Sequence, residues 1–228
     1  MIVLPGLTDY IKPRPHRPKF EQLYLVPDFS NNLDFWNTMK HMLFALDLYS
    51  PLEKDVFEYV NPFCGFFGNR LHPVSKEPSY YHLGIELVTD AKSKVRPLLK
   101  GVLEYSGYSV VNGYYVLLSH PHIQTEDGYI LHTMYCHLKK PLVKFSSYQK
   151  MLREISLGSH PIIEINRDTV LGLVGSSGAA VGELPKLYLQ CDFRKLDKKP
   201  IVIDPMNFFS EHVHVNESRK IKKVEKEA

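Results

Sequence analysis

From about residue 62 onward the apolar positions fall into short runs, "HLGIELV", "GVLEYSG", "YYVLLSH", "ILHTMYCHL", "TVLGLVG" and "LYLQCDF". They are rich in Val, Ile, Leu and Tyr and are punctuated by glycines, the texture of a twisted antiparallel sheet. Upstream the period changes. Leu33, Trp36, Met39, Leu43 and Leu46 recur at three- and four-residue steps, which predicts an amphipathic helix over about residues 32–49 whose Trp and Met stripe packs into the core. A second, short helix is predicted inside the β region. In "SSYQKMLREISLG", Ser146 and Gln149 have the spacing of a capping box and Gly158 follows the last turn.

The ends read differently. Residues 1–30 carry prolines at 13, 15 and 18, which forbid regular helix and suggest an extended arm. The tail "ESRKIKKVEKEA" mixes both charges with few apolar residues and reads as a solvated end. The expected organisation is an arm and helix over residues 1–59, a mainly β domain over 60–209, and a charged tail over 210–228. The fold class is mainly β, an antiparallel sheet or sandwich with an N-terminal amphipathic helix and a short inserted helix.

Composition adds limits. The chain has 228 residues, 44% hydrophobic and 23% charged, enough to bury one substantial core. A net charge of +3 gives little reason to expect a nucleic-acid partner. Cys64, Cys136 and Cys191 lack C-x-x-C spacing and read as small buried residues, not as a zinc ribbon or a disulfide framework. Prolines interrupt the N-terminus where a signal peptide would carry an unbroken apolar helix, and no apolar run reaches the length of a membrane span. The compartment stays open.

The candidate chemistry starts in "FGNRLHPVSKEPSYYHLGIEL", where His82 and Glu86 stand four apart after an Arg-x-His-Pro turn. Further along come His120, the run "TMYCHL" with Thr133, Tyr135, His137 and Leu138, the glycine-rich "GLVGSSGAAVG", and "VIDPMNFF". In this order and spacing the motifs resemble the lysostaphin or LytM-like zinc endopeptidases, which cut peptide cross-links of bacterial cell walls. The resemblance covers roughly residues 60–209. Gly68, Arg70, His72 and Pro73 match the family's opening turn, and His82, Gly84 and Glu86 match its His-x-Gly-x-Asp.

The resemblance implies a zinc site with its metal-ligand positions at His82, Glu86 and Tyr188. It places His137 as a residue stabilising the attacked carbonyl, with His120, Tyr135 and Lys186 along the cleft. Arg70 and His72 would shape the turn. The departure lies where the family has His-Leu-His and this chain reads "PKLYLQCDF". Aligned on Leu187, Lys186 stands at the catalytic histidine and Tyr188 at the ligand. No register restores either, because "AVGELPKLYLQCDFR" contains no histidine. His212 and His214 form a second His-x-His, but beyond the closing Asp-Pro segment.

These substitutions bear on the metal. A catalytic zinc takes three protein ligands and a water whose pKa it lowers to about 7. Glutamate in place of aspartate moves the carboxylate by about 1.5 Å, when ligand distances must hold to about 0.2 Å. A phenol with a pKa near 10 is a poor donor until deprotonated. An ammonium at Lys186 repels a dication. The expectation is a catalytically degenerate member, without a cofactor, that binds a peptidoglycan peptide or a protein partner. In that case Lys186 or the Tyr188 hydroxyl would pair with Glu86 and His82 in the space of the metal. Two alternatives stay open: an active zinc peptidase with a variant ligand set, and a structural subunit docking through its arm and first helix. The family's usual substrates are periplasmic or extracellular, whereas no signal peptide is visible here. Tyr80, Tyr81, Tyr108, Tyr114 and Tyr115 either border a peptide or glycan groove or are ordinary sheet residues.

Overall fold

The structure, a computed structural model, describes residues 1–8, 25, 37, 41–42, 46, 48–53, 67–71, 78–144 and 162–209; of 69–71 and 78–81 it describes the backbone. Twelve strands form among these residues. They are β1 (Ile2–Leu4), β2 (Gly68–Leu71), β3 (Pro78–His82), β4 (Ile85–Val88), β5 (Lys94–Val95) and β6 (Gly101–Ser109). Then follow β7 (Gly113–Thr125), β8 (Ile130–Pro141), β9 (Glu164–Ile165), β10 (Gly172–Val174), β11 (Lys186–Arg194) and β12 (Ile201–Ile203). Each apolar run quoted above lies on one or more of them.

The main sheet has ten strands, with the order β12-β11-β8-β7-β6-β9 along its principal path, and β2 and β3 form a separate hairpin. Its pairings are antiparallel except that of β1, which lies parallel to β7 with Ile2 opposite Ile123. The strand's period of two sorts side chains to two faces. On one face Val116, Tyr135 and Leu189 come together across β7, β8 and β11, and Ile85 of β4 joins them. This face holds the core, with Leu4, Leu7, Leu98, Leu118, Ile123 and Phe208 among its fully buried side chains.

Several of the described N-terminal residues belong to this body. The Asp127 carboxylate accepts from the backbone N–H groups of Leu7 and Thr8, at 3.2 and 3.0 Å. Leu25 forms a parallel bridge to Ile201, and Leu46 and Leu52 are buried in the core.

The helix expected over 32–49 lies mostly outside the described residues and is not supported as drawn. Asn37, His41 and Met42 have helical backbone, but Leu46 sits at a bend and residues 48–50 are not helical. The inserted helix at 146–157, the tail and His212 and His214 lie outside the described residues. Near the closing segment, Asp204 caps a short 3-10 turn over Pro205–Phe208 by accepting from Met206 N–H at 2.9 Å.

Candidate functional site

Two edges meet at the site. The turn at Gly84 swings the chain from β3 into β4 so closely over β11 that a Cβ on Gly84 would lie 2.3 Å from the Leu189 carbonyl oxygen. Only glycine allows this approach. It brings Glu86 opposite Tyr188 on β11, which is in turn opposite Cys136 on β8. Glu86, Tyr188 and Lys186 therefore share the sheet face opposite the Tyr135–Leu189 core.

Glu86 and Lys186 are 6% and 8% exposed, so their charges need partners. The Lys186 Nζ lies 3.1 Å from Glu86 Oε1 and also bonds the Glu183 carboxylate. Burial works against the Lys186 ammonium, but its bonds to Glu183 and Glu86 outweigh that and raise its pKa above the ordinary lysine value. His82 Nε2 stands 3.8 Å from the same Glu86 oxygen. The Tyr188 ring meets His82 edge-on at 5.2 Å and His137 at 5.9 Å between centroids. Its hydroxyl donates to Gln190 Oε1 at 3.1 Å.

His137 is held by backbone. Its φ of 61° is left-handed, which breaks the alternation of β8 and turns the ring onto the Tyr188 side. Its Nδ1 donates to the Ser177 carbonyl at 2.9 Å, so Nε2 carries the lone pair. Burial, seconded by the nearby Lys186 charge, lowers its pKa against the pull of that bond and of Glu86. Ser177 ties three elements together: its hydroxyl donates to Leu138 O at 2.6 Å and accepts from Tyr114 N–H at 2.9 Å. Gly113 and Gly178, at φ of 65° and 68°, pack against each other here, and a Cβ on Gly178 would lie 2.2 Å from the Gly113 nitrogen.

His120 and Tyr135, expected along the cleft, are fully buried on the core face. His120 Nδ1 donates to Lys100 O at 2.8 Å, leaving Nε2 to accept from the Thr133 hydroxyl at 2.9 Å. The Tyr135 hydroxyl accepts from Leu98 N–H at 2.7 Å. Both are scaffold, because every polar atom named here is used up inside the sheet. The Arg70 backbone pairs with Tyr80 in the β2–β3 hairpin, while the Arg70 side chain and His72 lie outside the described residues. Tyr105 stacks on Tyr115 at 4.7 Å and Tyr108 meets Tyr114 edge-on at 5.0 Å, as cross-strand pairs do.

The residues present do not fit a catalytic zinc. An ammonium occupies the carboxylate that would bind the metal, and the Tyr188 hydroxyl points to Gln190. Among the described residues no group of three His, Cys, Asp or Glu has a metal-holding arrangement. Sequence reading also missed a polar ladder on β11. Beyond Tyr188, Gln190 Nε2 donates to Asp192 Oδ2 at 2.9 Å, and Arg194 clasps Asp192 with bonds of 2.5 and 3.0 Å. Its signal was the spacing of Tyr188, Gln190, Asp192 and Arg194 at every second residue of the strand.

No protein-family model and no curated protein sequence matches this chain. Solved structures do show similarity. A zinc-containing peptidase from Vibrio cholerae matches at 22% identity over 67% of this chain, with a TM-score of 0.46; the match spans 37% of that protein's length. The catalytic domain of the antimicrobial peptidase lysostaphin from Staphylococcus simulans matches at 19% identity, covering 68% of this chain and 95% of its own, with a TM-score of 0.45. LytU matches at 14% identity, 72% of this chain and 92% of its own, with a TM-score of 0.47. At such scores the likeness carries no argument by itself, and the chain's own residues must.

Proposed function

We propose that this chain is a catalytically degenerate LytM-like homologue that works by binding a peptide segment, of peptidoglycan or of a partner protein, without cutting it. The observation that carries the reading is the Lys186 ammonium 3.1 Å from Glu86 Oε1. The lysine stands where the family pattern has its catalytic histidine, and its charge neutralises the carboxylate that would hold zinc. Hydrolysis at such a site would lack a metal-activated water, and the lysine at the family's histidine position is charged and not a neutral base.

The mouth around these residues supports binding. Val110 and Val111 at the β6–β7 turn are 80% and 70% exposed, and Val181 and Leu184 on the loop before β11 are 74% and 69% exposed. The two loops are joined by a bond from Ala179 N–H to Val111 O at 3.1 Å, and His137 N–H donates to Asn112 O at 2.9 Å. Apolar side chains gathered beside a buried polar cluster are the make-up of an interaction site.

The test is metal content by mass spectrometry on protein incubated with zinc and desalted, with Glu86→Ala as control and a cell-wall cross-bridge peptide offered in parallel. The proposal expects far less than one zinc per chain and an intact peptide. Stoichiometric zinc that disappears in Glu86→Ala, together with cleavage, overturns it.

A further inference from the structure

Beside the mouth lies a feature that the site itself does not use. In the register of β5, β10 and β8, Lys94 is directly opposite Leu173, and Leu173 is directly opposite Lys140. Residues paired in this way point to the same face. A strand spacing of about 4.8 Å puts the two lysine Cα atoms roughly 10 Å apart with the leucine between them. Both lysines are exposed and Leu173 is half-buried. Lys92 and Lys139, also exposed, flank the row. None of these four lysines is in an ion pair with a described residue. The row adjoins the mouth through the backbone. Lys139 packs against Gly175, where an added Cβ would meet its nitrogen at 2.4 Å, and the Gly175 carbonyl accepts from Lys186 N–H at 2.9 Å.

We infer that the Lys94–Leu173–Lys140 row docks an acidic segment of a partner protein, one carrying an apolar side chain between two carboxylates. This rests on the binding reading of the neighbouring mouth and names the class of partner. Charge complementarity supplies the acidic character. The central leucine decides between polyanions: a phosphate polymer or a lipid headgroup layer gives it nothing to cover, whereas a peptide does. An extended peptide places alternate side chains on one face at about 3.3 Å per residue, so acidic, apolar and acidic residues at alternate positions span about 13 Å. Two flexible lysine side chains with Cα atoms roughly 10 Å apart reach both carboxylates.

The experiment uses the full chain and a fluorescein-labelled heptapeptide with Asp, Leu and Asp at alternate positions, followed by fluorescence anisotropy at low salt. The expected results are saturable binding that weakens as salt is raised. Binding should fall at least tenfold in Lys94→Glu/Lys140→Glu, and also with the peptide's aspartates replaced by asparagines. Lys94→Gln/Lys140→Gln serves as a milder second variant, and Lys198→Glu/Lys199→Glu, on an exposed loop elsewhere, should bind as the unaltered chain does. Equal binding by the Lys94/Lys140 variants, or no binding by the unaltered chain, overturns the inference. So does tighter capture of inorganic polyphosphate or of anionic lipid vesicles that the same variants abolish, because that identifies a general anion patch. The two readings fail separately. Zinc uptake and cleavage by a chain that still binds the peptide sinks the non-catalytic reading alone. A zinc-free chain that ignores the peptide sinks the docking row alone.

Discussion

His120 and Tyr135 on one face of the sheet and Glu86, Lys186 and Tyr188 on the other stand in the motifs that carry the sequence resemblance, yet their surroundings differ in kind. The first two are each anchored on backbone, His120 to Lys100 O as well as to the Thr133 hydroxyl and Tyr135 to Leu98 N–H, both without solvent exposure. Of the second three, Lys186 pairs with Glu86 and Glu183, and Tyr188 donates to Gln190, side chain to side chain. A residue bonded to the backbone cannot change without orphaning a group that the fold itself supplies. A residue bonded to another side chain can change together with that partner. On the proposed reading, the contrast accounts for a chain that keeps the residues holding its sheet together while its mouth serves binding.

Four substitutions or titrations sharpen the contrast, the largest first. Glu86→Ala removes a carboxylate from the buried Lys186 ammonium. Breaking a buried pair costs about 3–5 kcal/mol, and the retained Glu183 keeps the expected loss near the lower end, about 3 kcal/mol in denaturant unfolding. An unchanged unfolding midpoint would show that the pair holds nothing together.

Acid should act mainly on the backbone-wired side. Burial pushes the His120 pKa down to about 3, against the Lys100 bond that favours the charged form. A histidine whose folded pKa lies below its unfolded value near 6.5 binds fewer protons folded than unfolded, so its stabilising effect is present above pH 6.5 and is lost as pH falls towards 3. By pH 5 the loss from His120 is about 2 kcal/mol, and burial lowers His132 and His137 in the same direction. A His120→Gln variant should show a flatter stability curve between pH 7 and 5 by urea titration; a parallel curve would place the acid sensitivity elsewhere.

Tyr135→Phe leaves the Leu98 N–H without its acceptor and should cost about 1–3 kcal/mol by calorimetry, with no change in peptide binding at the mouth. Tyr188→Phe removes one hydroxyl from the Gln190 ladder and should cost about 1 kcal/mol, the smallest effect of the set. If Tyr188→Phe were instead the more damaging of the two, a hydroxyl that serves a backbone N–H would be worth no more than one that serves a side chain.

Much of the fold was legible because its signals are local. The six glycine-punctuated runs are strands, and the spacing of Gly68, His82, Gly84 and Glu86 carries over into the β2–β3–β4 turns. β1 was not legible, since three residues inside a proline-rich stretch give too little periodicity to register and its partner lies more than a hundred residues away. Within the site, the cost of burying an unpaired carboxylate pointed to Lys186 or the Tyr188 hydroxyl as the partner of Glu86; Lys186 lies 3.1 Å from it and Tyr188 donates to Gln190. Glu183 did not follow, because it reaches Lys186 from the loop before β11. The placing of His120 and Tyr135 in the cleft failed for a geometric reason. A motif gives position along a strand, but a single left-handed residue, His137, separates the face of Tyr135 from the face of the site.

The measurement that bears most directly on the account is a double-mutant cycle on Glu86→Leu and Lys186→Met, read by denaturant unfolding. If the ammonium and the carboxylate hold each other in the buried site, each single variant is destabilised. The double variant then recovers most of the loss, with a coupling of about 2 kcal/mol or more. Single effects that add to within about 0.5 kcal/mol would mean that the two side chains do not depend on each other, and would contradict the proposal that a lysine fills the space a metal would take.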